Sequence, residues 1–467
     1  LAYRYPVPAE TCGLDLPALE VQPGQAMLLA GPSGCGKSTL ARCLAGLIPH
    51  LYHGDLRGRV LVDGLPTADT PLWQLCERAG MVFQNPRSQM LAATVEDEII
   101  FGLENLGLDC TEIHNRLEVA LDRFDLQALR ARPPLTLSGG EQQRVALAAI
   151  TARQPPVLVL DEPLSMLDTT AVEELVTHLS ELVRGGTAVV ICEHRTDPLQ
   201  RIPGIQMTWL GQDAARAPLA AQPPAPAAVE PFAIEVSHLN VRLGDRTVIQ
   251  DLSFDAAGGE VVAIVGRNGV GKTTLLRALS GLQRHQGTVL VKGQGSDWAG
   301  NGRPDLAMVF QNPDMQLFNA TVRDEILYKV PAPDDRWYDW LVNALGLCSY
   351  QETPPLLLSE GEKKRVALAI ALMCRPAHGL LLDEPALGQD EAHKAQLVGL
   401  ARSLARAGRL VLLTTHDLSL AARADRLLLM THSGFVADGP PSQVLANTDA
   451  WQEAGLVVPD WLPETRR

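Results

Sequence analysis

The sequence has no uninterrupted apolar run of the roughly 18 to 20 residues that a membrane-spanning helix needs. Its first residues also lack the charged-then-apolar pattern of a signal peptide, so the chain is expected neither to span a membrane nor to be exported by that route. It begins at Leu1 rather than Met, which leaves room for a few native residues before it. No C-x-x-C pair occurs among the eight cysteines, Cys12, Cys35, Cys43, Cys76, Cys110, Cys192, Cys348 and Cys374. That spacing argues against zinc, iron-sulfur and disulfide frameworks and fits a reducing cytoplasm. Aromatic residues make up only 4% of the chain, too few for base-stacking platforms. Basic residues are the minority, 40 against 54 acidic, and the net charge of −14 disfavours nucleic acid as a partner. What remains is an ordinary globular composition, 46% hydrophobic and 20% charged, in 467 residues, enough for two or three domains.

The chain is an internal repeat. In the first half GPSGCGKST at 31–39 is followed by MVFQNP, TVEDEI, LSGGEQQRVALA, LVLDEP and ICEH. In the second, GRNGVGKTT at 266–274 is followed by MVFQNP, TVRDEI, LSEGEKKRVALA, LLLDEP and TTHD in the same order. Between the halves, residues 214–231 read AARAPLAAQPPAPAAVEP, a proline-rich stretch without periodicity that reads as a semi-stiff linker. The expected domains are 1–213 and 232–450, with 451–467 as a tail.

Each half carries G-x-x-x-x-G-K-[ST] between a short apolar run, Ala26 to Ala30 or Val261 to Val265, and a helical pattern. The helical faces are read from Leu40, Cys43, Leu44 and Leu47, and from Leu275, Ala278, Leu279 and Leu282. Gly31, Gly34 and Gly36, like Gly266, Gly269 and Gly271, let the backbone bend so that several amide N–H groups converge on phosphate oxygens at a helix N-terminus. Lys37 and Lys272 would neutralise β and γ phosphates, and Ser38 and Thr273 would offer a hydroxyl to Mg²⁺. The plainer reading, a Gly-rich turn capping a helix, is weakened because two copies occur in register with five other repeated words. Cys35 lies inside the first loop, close to Lys37, where it is either a reactive thiol or a small filler residue.

Two further words carry chemistry. Val157 to Leu160 and Leu380 to Leu382 are apolar runs that end in Asp-Glu, as expected of buried strands that deliver carboxylates at their C-terminal edge. Asp161 and Asp383 would orient Mg²⁺, while Glu162 and Glu384 would polarise an attacking water. His194 and His416 each close a β-like run at the same distance beyond the aspartate, placed to hydrogen-bond a γ phosphate. The S-x-x-E of LSGGE and LSEGE is by itself a helix capping box, which is compatible with a helix N-terminus that faces an anion.

Taken together these residues resemble the ATP-binding-cassette (ABC) family across nearly the whole chain. The resemblance implies an α/β architecture of two P-loop NTPase domains in tandem, each a RecA-like core with a β-subdomain and an α-helical signature subdomain. It implies ATP and Mg²⁺ as cofactors. The nucleotide-contacting residues it implies in the loops are Gly31, Ser33, Gly34, Cys35, Gly36, Lys37, Ser38 and Thr39, and Gly266, Asn268, Gly269, Gly271, Lys272, Thr273 and Thr274. Tyr5 stands where an adenine-stacking aromatic is expected, whereas the second half has Leu243. Gln84 and Gln311 match the family's Q-loop glutamines, with a part in catalysis and in metal binding. In this family the domains pack head to tail, which would pair Lys37 with Ser359 and Gly361, and Lys272 with Ser138, Gly139 and Gly140.

The wording after each glutamine, MVFQNPRSQMLAATVEDEIIFGLENLG and MVFQNPDMQLFNATVRDEILY, is similar to the ATPase component of energy-coupling factor (ECF) importers. That implies an integral membrane T component and a substrate-binding S component as partners, and a peripheral location on the cytoplasmic face of the membrane. A fused pair looks most like the members associated with thiamine or its hydroxymethylpyrimidine precursor. Two departures stand out: Glu360 replaces the first signature glycine, putting a carboxylate near the phosphates of the Lys37 site, and the two halves differ after DEP. Two competent but unequal ATP sites are therefore expected. A soluble ribosome-acting tandem cassette would call for a long charged linker, and a tandem sugar-importer ATPase fits the FQNP wording less well. A DNA-repair cassette would call for zinc cysteines or coiled-coil insertions.

Overall fold

The computed structural model describes all residues except 5–12, 17, 33–34, 166, 195, 211–230, 245, 294–304, 375–377, 387–388, 390 and 458–467. Tyr5, Ser33, Gly34, almost all of the expected linker and most of the expected tail thus lie outside the described residues. The chain divides into two compact units, Leu1–Ala214 and Ala215–Arg467.

In the first unit, five parallel strands form the central sheet in the order Gln206–Trp209, Ala26–Ala30, Ala188–Cys192, Val157–Asp161, Ala79–Val82. Four of these strands are nearly continuous buried apolar runs, as expected of a parallel sheet covered on both faces, whereas the edge strand Gln206–Trp209 is largely exposed. Period-two alternation then sorts neighbours to opposite sides: Leu28 joins one core cluster and Leu29 the other, and both are fully buried. The second unit has the same order, read from the opposite edge as Leu306–Val309, Gly379–Asp383, Leu410–Thr414, Val261–Gly266 and Arg426–Thr431, and adds Gly434–Gly439 antiparallel beside Arg426–Thr431. Ala263 and Ile264 divide between two cores in the same way.

Each unit adds a three-stranded antiparallel sheet. In the first it is made of Gly13–Asp15, Ala2–Arg4 and Asp55–Arg57, and in the second of Arg246–Ala257, Phe232–Leu243 and Gln286–Gly293. Helices Val95–Glu104, Cys110–Arg123 and Gly139–Ala152 form a helical layer in the first unit, matched by Val322–Leu327, Asp335–Ala344 and Glu360–Met373 in the second.

One expectation from periodicity fails. The helix after each phosphate loop is short, Lys37–Leu44 and Lys272–Leu279, so Leu47 and Leu282 lie beyond its last turn. Gly46 and Gly281 take left-handed conformations, φ 74° and 76°, and turn the chain away. Leu282 is consequently 61% exposed rather than part of a buried face.

Candidate nucleotide site

Each phosphate loop leaves the C-terminal end of a central parallel strand, the edge where open α/β sheets bind ligands. Gly36 and Gly271 cap the following helices at φ 99° and 112°, a backbone region that an L side chain enters only at a cost. Lys37 and Lys272 are buried, and each ammonium is held by carbonyls of its own loop. Lys37 Nζ donates to Gly31 O at 2.7 Å and Pro32 O at 3.0 Å, and Lys272 Nζ to Gly266 O at 2.6 Å and Arg267 O at 3.0 Å. Cys35 Sγ lies 3.8 Å from Lys37 Nζ. Thr39 is buried; Thr274, Ser38 and Thr273 are half-buried. Asn268 belongs to the turn of the second loop.

The neighbouring strand brings in the carboxylates. Ser38 Oγ donates to Asp161 Oδ1 at 3.0 Å, and Thr273 Oγ1 to Asp383 Oδ1 at 3.1 Å. Thr414 adds a second hydroxyl to Asp383 at 2.7 Å, whereas Cys192 holds that register position beside Asp161. Burial pushes the Asp161 carboxyl up to about 7, Glu162 adding to the effect and Ser38, Arg42 and Lys37 opposing it. Glu162 and Glu384, the residues after these strands, both take left-handed φ, 50° and 49°. Non-glycine residues held in that region concentrate at functional sites.

The surroundings of the two glutamates differ. Gln84 Nε2 donates to Glu162 Oε2 at 2.7 Å, and His194 Nδ1 stands 3.7 Å from Oε1. Burial opposes the charge on Glu162, but His194, Lys37 and Gln84 outweigh it and hold the carboxyl below its ordinary value. In the second unit the His416 N–H donates to Glu384 Oε2 at 3.2 Å, and His416 Nε2 lies 3.2 Å from Oε1 and 3.3 Å from Lys272 Nζ. Burial pushes Glu384 up to about 7, with Lys272 opposing and Asp383 adding. Gln311 is half-buried at the position matching Gln84. Buried carboxylates beside a hydroxyl are the hard oxygen donors that suit Mg²⁺. The raised Asp161 and the buried Glu384 Oε1, which has no well-oriented donor among the described residues, mark places where added positive charge or a polar ligand would be stabilised, so the residues fit the cation.

The signature words start helices through complete capping boxes. Ser138 Oγ accepts from Glu141 N while the Glu141 carboxylate accepts from Ser138 N at 2.8 Å; Ser359 and Glu362 do the same at 2.9 Å. Gly139, Gly140 and Gly361 lie in the first turns of these helices. Glu193, fully buried, is a residue the repeated words did not single out. Its carboxylate accepts from Leu164 N at 3.2 Å and His194 N at 2.8 Å, and lies 3.3 Å from His194 Nδ1. Its signal in the sequence was an acidic residue at the end of an otherwise apolar run.

Comparison with known proteins agrees with this geometry. The ABC transporter family model matches residues 14–165 and 249–387, and the chain belongs to that family as a tandem ATPase with two ATP-binding domains. It is 32% identical over 507 residues to YkoD of Bacillus subtilis, provisionally named an HMP/thiamine import ATP-binding protein, covering 95% of this chain and 92% of that one. A provisionally named ABC transporter ATP-binding protein of Streptomyces coelicolor is 35% identical over 545 residues, covering 95% and 94%. Among solved structures, a chain in a model of ribosome-bound archaeal Pelota and ABCE1 gives a TM-score of 0.69 at 19% identity, covering 97% of this chain and 80% of that one. The RNase-L inhibitor gives 0.62 at 20%, covering 97% and 93%. At those identities the likeness is one of fold: two tandem ABC P-loop NTPase domains.

Proposed function

We propose that this ATPase is the energising subunit of an ECF-type importer, docking on integral membrane partners through the segment that follows each Q-loop. The observation that carries the reading is a pair of rigid loops with apolar tips. After Gln84, Gln89 bridges Phe83 N at 2.8 Å and Met81 O at 2.9 Å, and Glu98 accepts from Leu91 N and Ala92 N, both at 2.8 Å. After Gln311, Gln316 bridges Phe310 N and Met308 O at 3.0 and 3.1 Å, and Glu325 accepts from Phe318 N and Asn319 N at 2.9 and 2.6 Å. Buried carboxylates thus fix both loops, yet the side chains at their tips, Leu91 and Phe318, are 75% and 65% exposed. Paired apolar tips on a preformed backbone suit a partner that supplies apolar surface.

No helix among the described residues is long and apolar enough to cross a membrane, so transport requires membrane partners, a T-type coupling protein and a substrate-binding S component. The chain then sits peripherally on the cytoplasmic face. The kinship with an import protein named for thiamine and its precursor supports a vitamin-type cargo.

In the working sites Lys37 and Lys272 bind ATP phosphates, and the signature words, Ser138, Gly139 and Gly140 in one half and Ser359 and Gly361 in the other, meet ATP phosphates as well. Ser38, Asp161 and Gln84, and Thr273, Asp383 and Gln311, hold Mg²⁺, which neutralises phosphate charge when bound. Glu162 and Glu384 orient the attacking water, and His194 and His416 hold the γ phosphate. Binding closes the domains, hydrolysis reopens them, and the loops pass the motion on.

The test is membrane recovery of the full chain beside a Leu91→Asp, Phe318→Asp double variant. Loss of membrane association with ATPase activity retained is expected. A double variant that still partitions with membranes as wild type does would overturn the docking assignment.

A further inference from the structure

The second signature carries a carboxylate, Glu360, where the first has Gly139. If its charge stood free it would repel the phosphates that the signature is there to meet. The structure shows how it is compensated. Lys363, one turn along the same helix and 10% exposed in its side chain, lies 3.8 Å from Glu360 Oε1 and 2.8 Å from Asp314 Oδ1. Asp314 belongs to the 3-10 turn Pro313–Met315 just after Gln311, a turn fixed by Asn312 Oδ1, which accepts from Asp314 N at 2.9 Å.

The first half serves as an internal comparison. Its register-matched residues are Gly139, Gln142 and Arg87, so none of the three second-half charges is present. Gln142 Nε2 instead donates to Pro134 O at 3.1 Å, inside its own helix entry. Two carboxylates and one ammonium thus replace a glycine, an amide and a guanidinium in one copy of the repeat, and the ammonium sits between the carboxylates. Burial pushes the Glu360 carboxyl up, with Lys363 as the largest opposing influence.

We propose that Lys363 is a positioning residue that neutralises Glu360 and, anchored by Asp314, ties the second signature to the segment after Gln311. The assignment rests on the proposed reading that this signature meets the phosphates of ATP. The contacts of Lys363 are with Asp314 and Glu360, and it acts by making a carboxylate compatible with phosphate. One ATP site therefore depends on an ion triad that the other does not have.

Steady-state ATPase kinetics of the full chain test this with Lys363→Gln, the residue of the first half, with Glu360→Gly, and with the pair combined. Lys363→Gln is expected to lower kcat/KM about tenfold, mainly through KM for ATP, because repulsion acts on the bound phosphates. The combined variant is expected to return to within about twofold of Glu360→Gly alone, since the charge in need of compensation is gone. Asp314→Asn should shift KM in the same direction by a smaller factor, about threefold, and Glu360→Gly should erase that shift too. Unchanged kinetics in Lys363→Gln would overturn the proposal. So would a loss that Glu360→Gly fails to rescue, which would mark Lys363 as a merely structural buried lysine. A Gly361→Asp variant separates the underlying reading: if it leaves turnover unaltered, the signature does not serve an ATP site and that reading itself fails.

Discussion

Ser38 and Asp161 are 123 residues apart in the chain, and Ser38 Oγ donates to Asp161 Oδ1 across 3.0 Å. This bond joins the phosphate-loop helix to the end of the neighbouring strand and defines the floor of the first site. Asp161 is 3% exposed, and burial holds its carboxyl near 7, so the fold bears a cost to keep it there. Asp161→Asn should leave the melting temperature unchanged or raise it, while ATP hydrolysis falls by at least about tenfold. Calorimetry beside a phosphate-release assay checks both halves of the statement. A variant that melts far earlier with normal turnover would show the carboxylate to be structural.

If Glu162 and Glu384 both serve hydrolysis as proposed, their unequal surroundings imply unequal contributions to turnover. Glu162 is held by the amide of Gln84, whereas Glu384 shares its space with His416 and Lys272. Glu162→Gln and Glu384→Gln, made separately, should leave residual rates that differ by about threefold or more. Equal residual turnover refutes the inequality.

Cys35 stands 3.8 Å from the Lys37 ammonium inside the first phosphate loop. Bound ATP should shield it from alkylation. Cys76, Cys110, Cys348 and Cys374 are exposed and will label regardless, so the rate has to be read peptide by peptide. The same labelling rate at Cys35 with and without nucleotide would argue against the loop being the phosphate site.

His178 provides a stability test away from the nucleotide. It is 5% exposed, packs edge-on against Phe124 and faces Arg123 Nη1 at 3.1 Å. Burial, reinforced by Arg123, lowers it from 6.5 to about 4. The unfolded chain therefore takes up this proton first. Stability from His178 is complete above 6.5 and is lost as pH falls toward 4, amounting to about 3 kcal/mol. Urea unfolding from pH 7 to 4 should show a shallower decline for His178→Gln, which keeps an acceptor for Arg123. Superimposable pH profiles would contradict it.

Much of the candidate site was legible in the sequence because it is built from short words whose local structure is nearly autonomous. The loop glycines, the apolar strands ending at Asp161 and Asp383 and the two capping boxes are of this kind. What local pattern missed depends on contacts made across the fold. Leu282 fits a helical period, but Gly281 ends the helix before it. Thr414 and Glu193 looked like ordinary residues of strand-end words until the sheet placed one against Asp383 and the other between Leu164 and His194. Glu360 looked like a defect in the second signature, and Asp314 lies too far from it in sequence for the triad to be read from spacing.

Whether the chain energises a membrane importer is decided by purifying the tagged full chain from detergent-solubilised membranes and identifying what accompanies it. Recovery of an integral T-type coupling protein together with a small substrate-binding membrane protein, whose bound ligand names the cargo, is expected. Recovery of the chain with ribosomal particles, and with no membrane protein, would leave the ATPase chemistry standing and contradict the transport role.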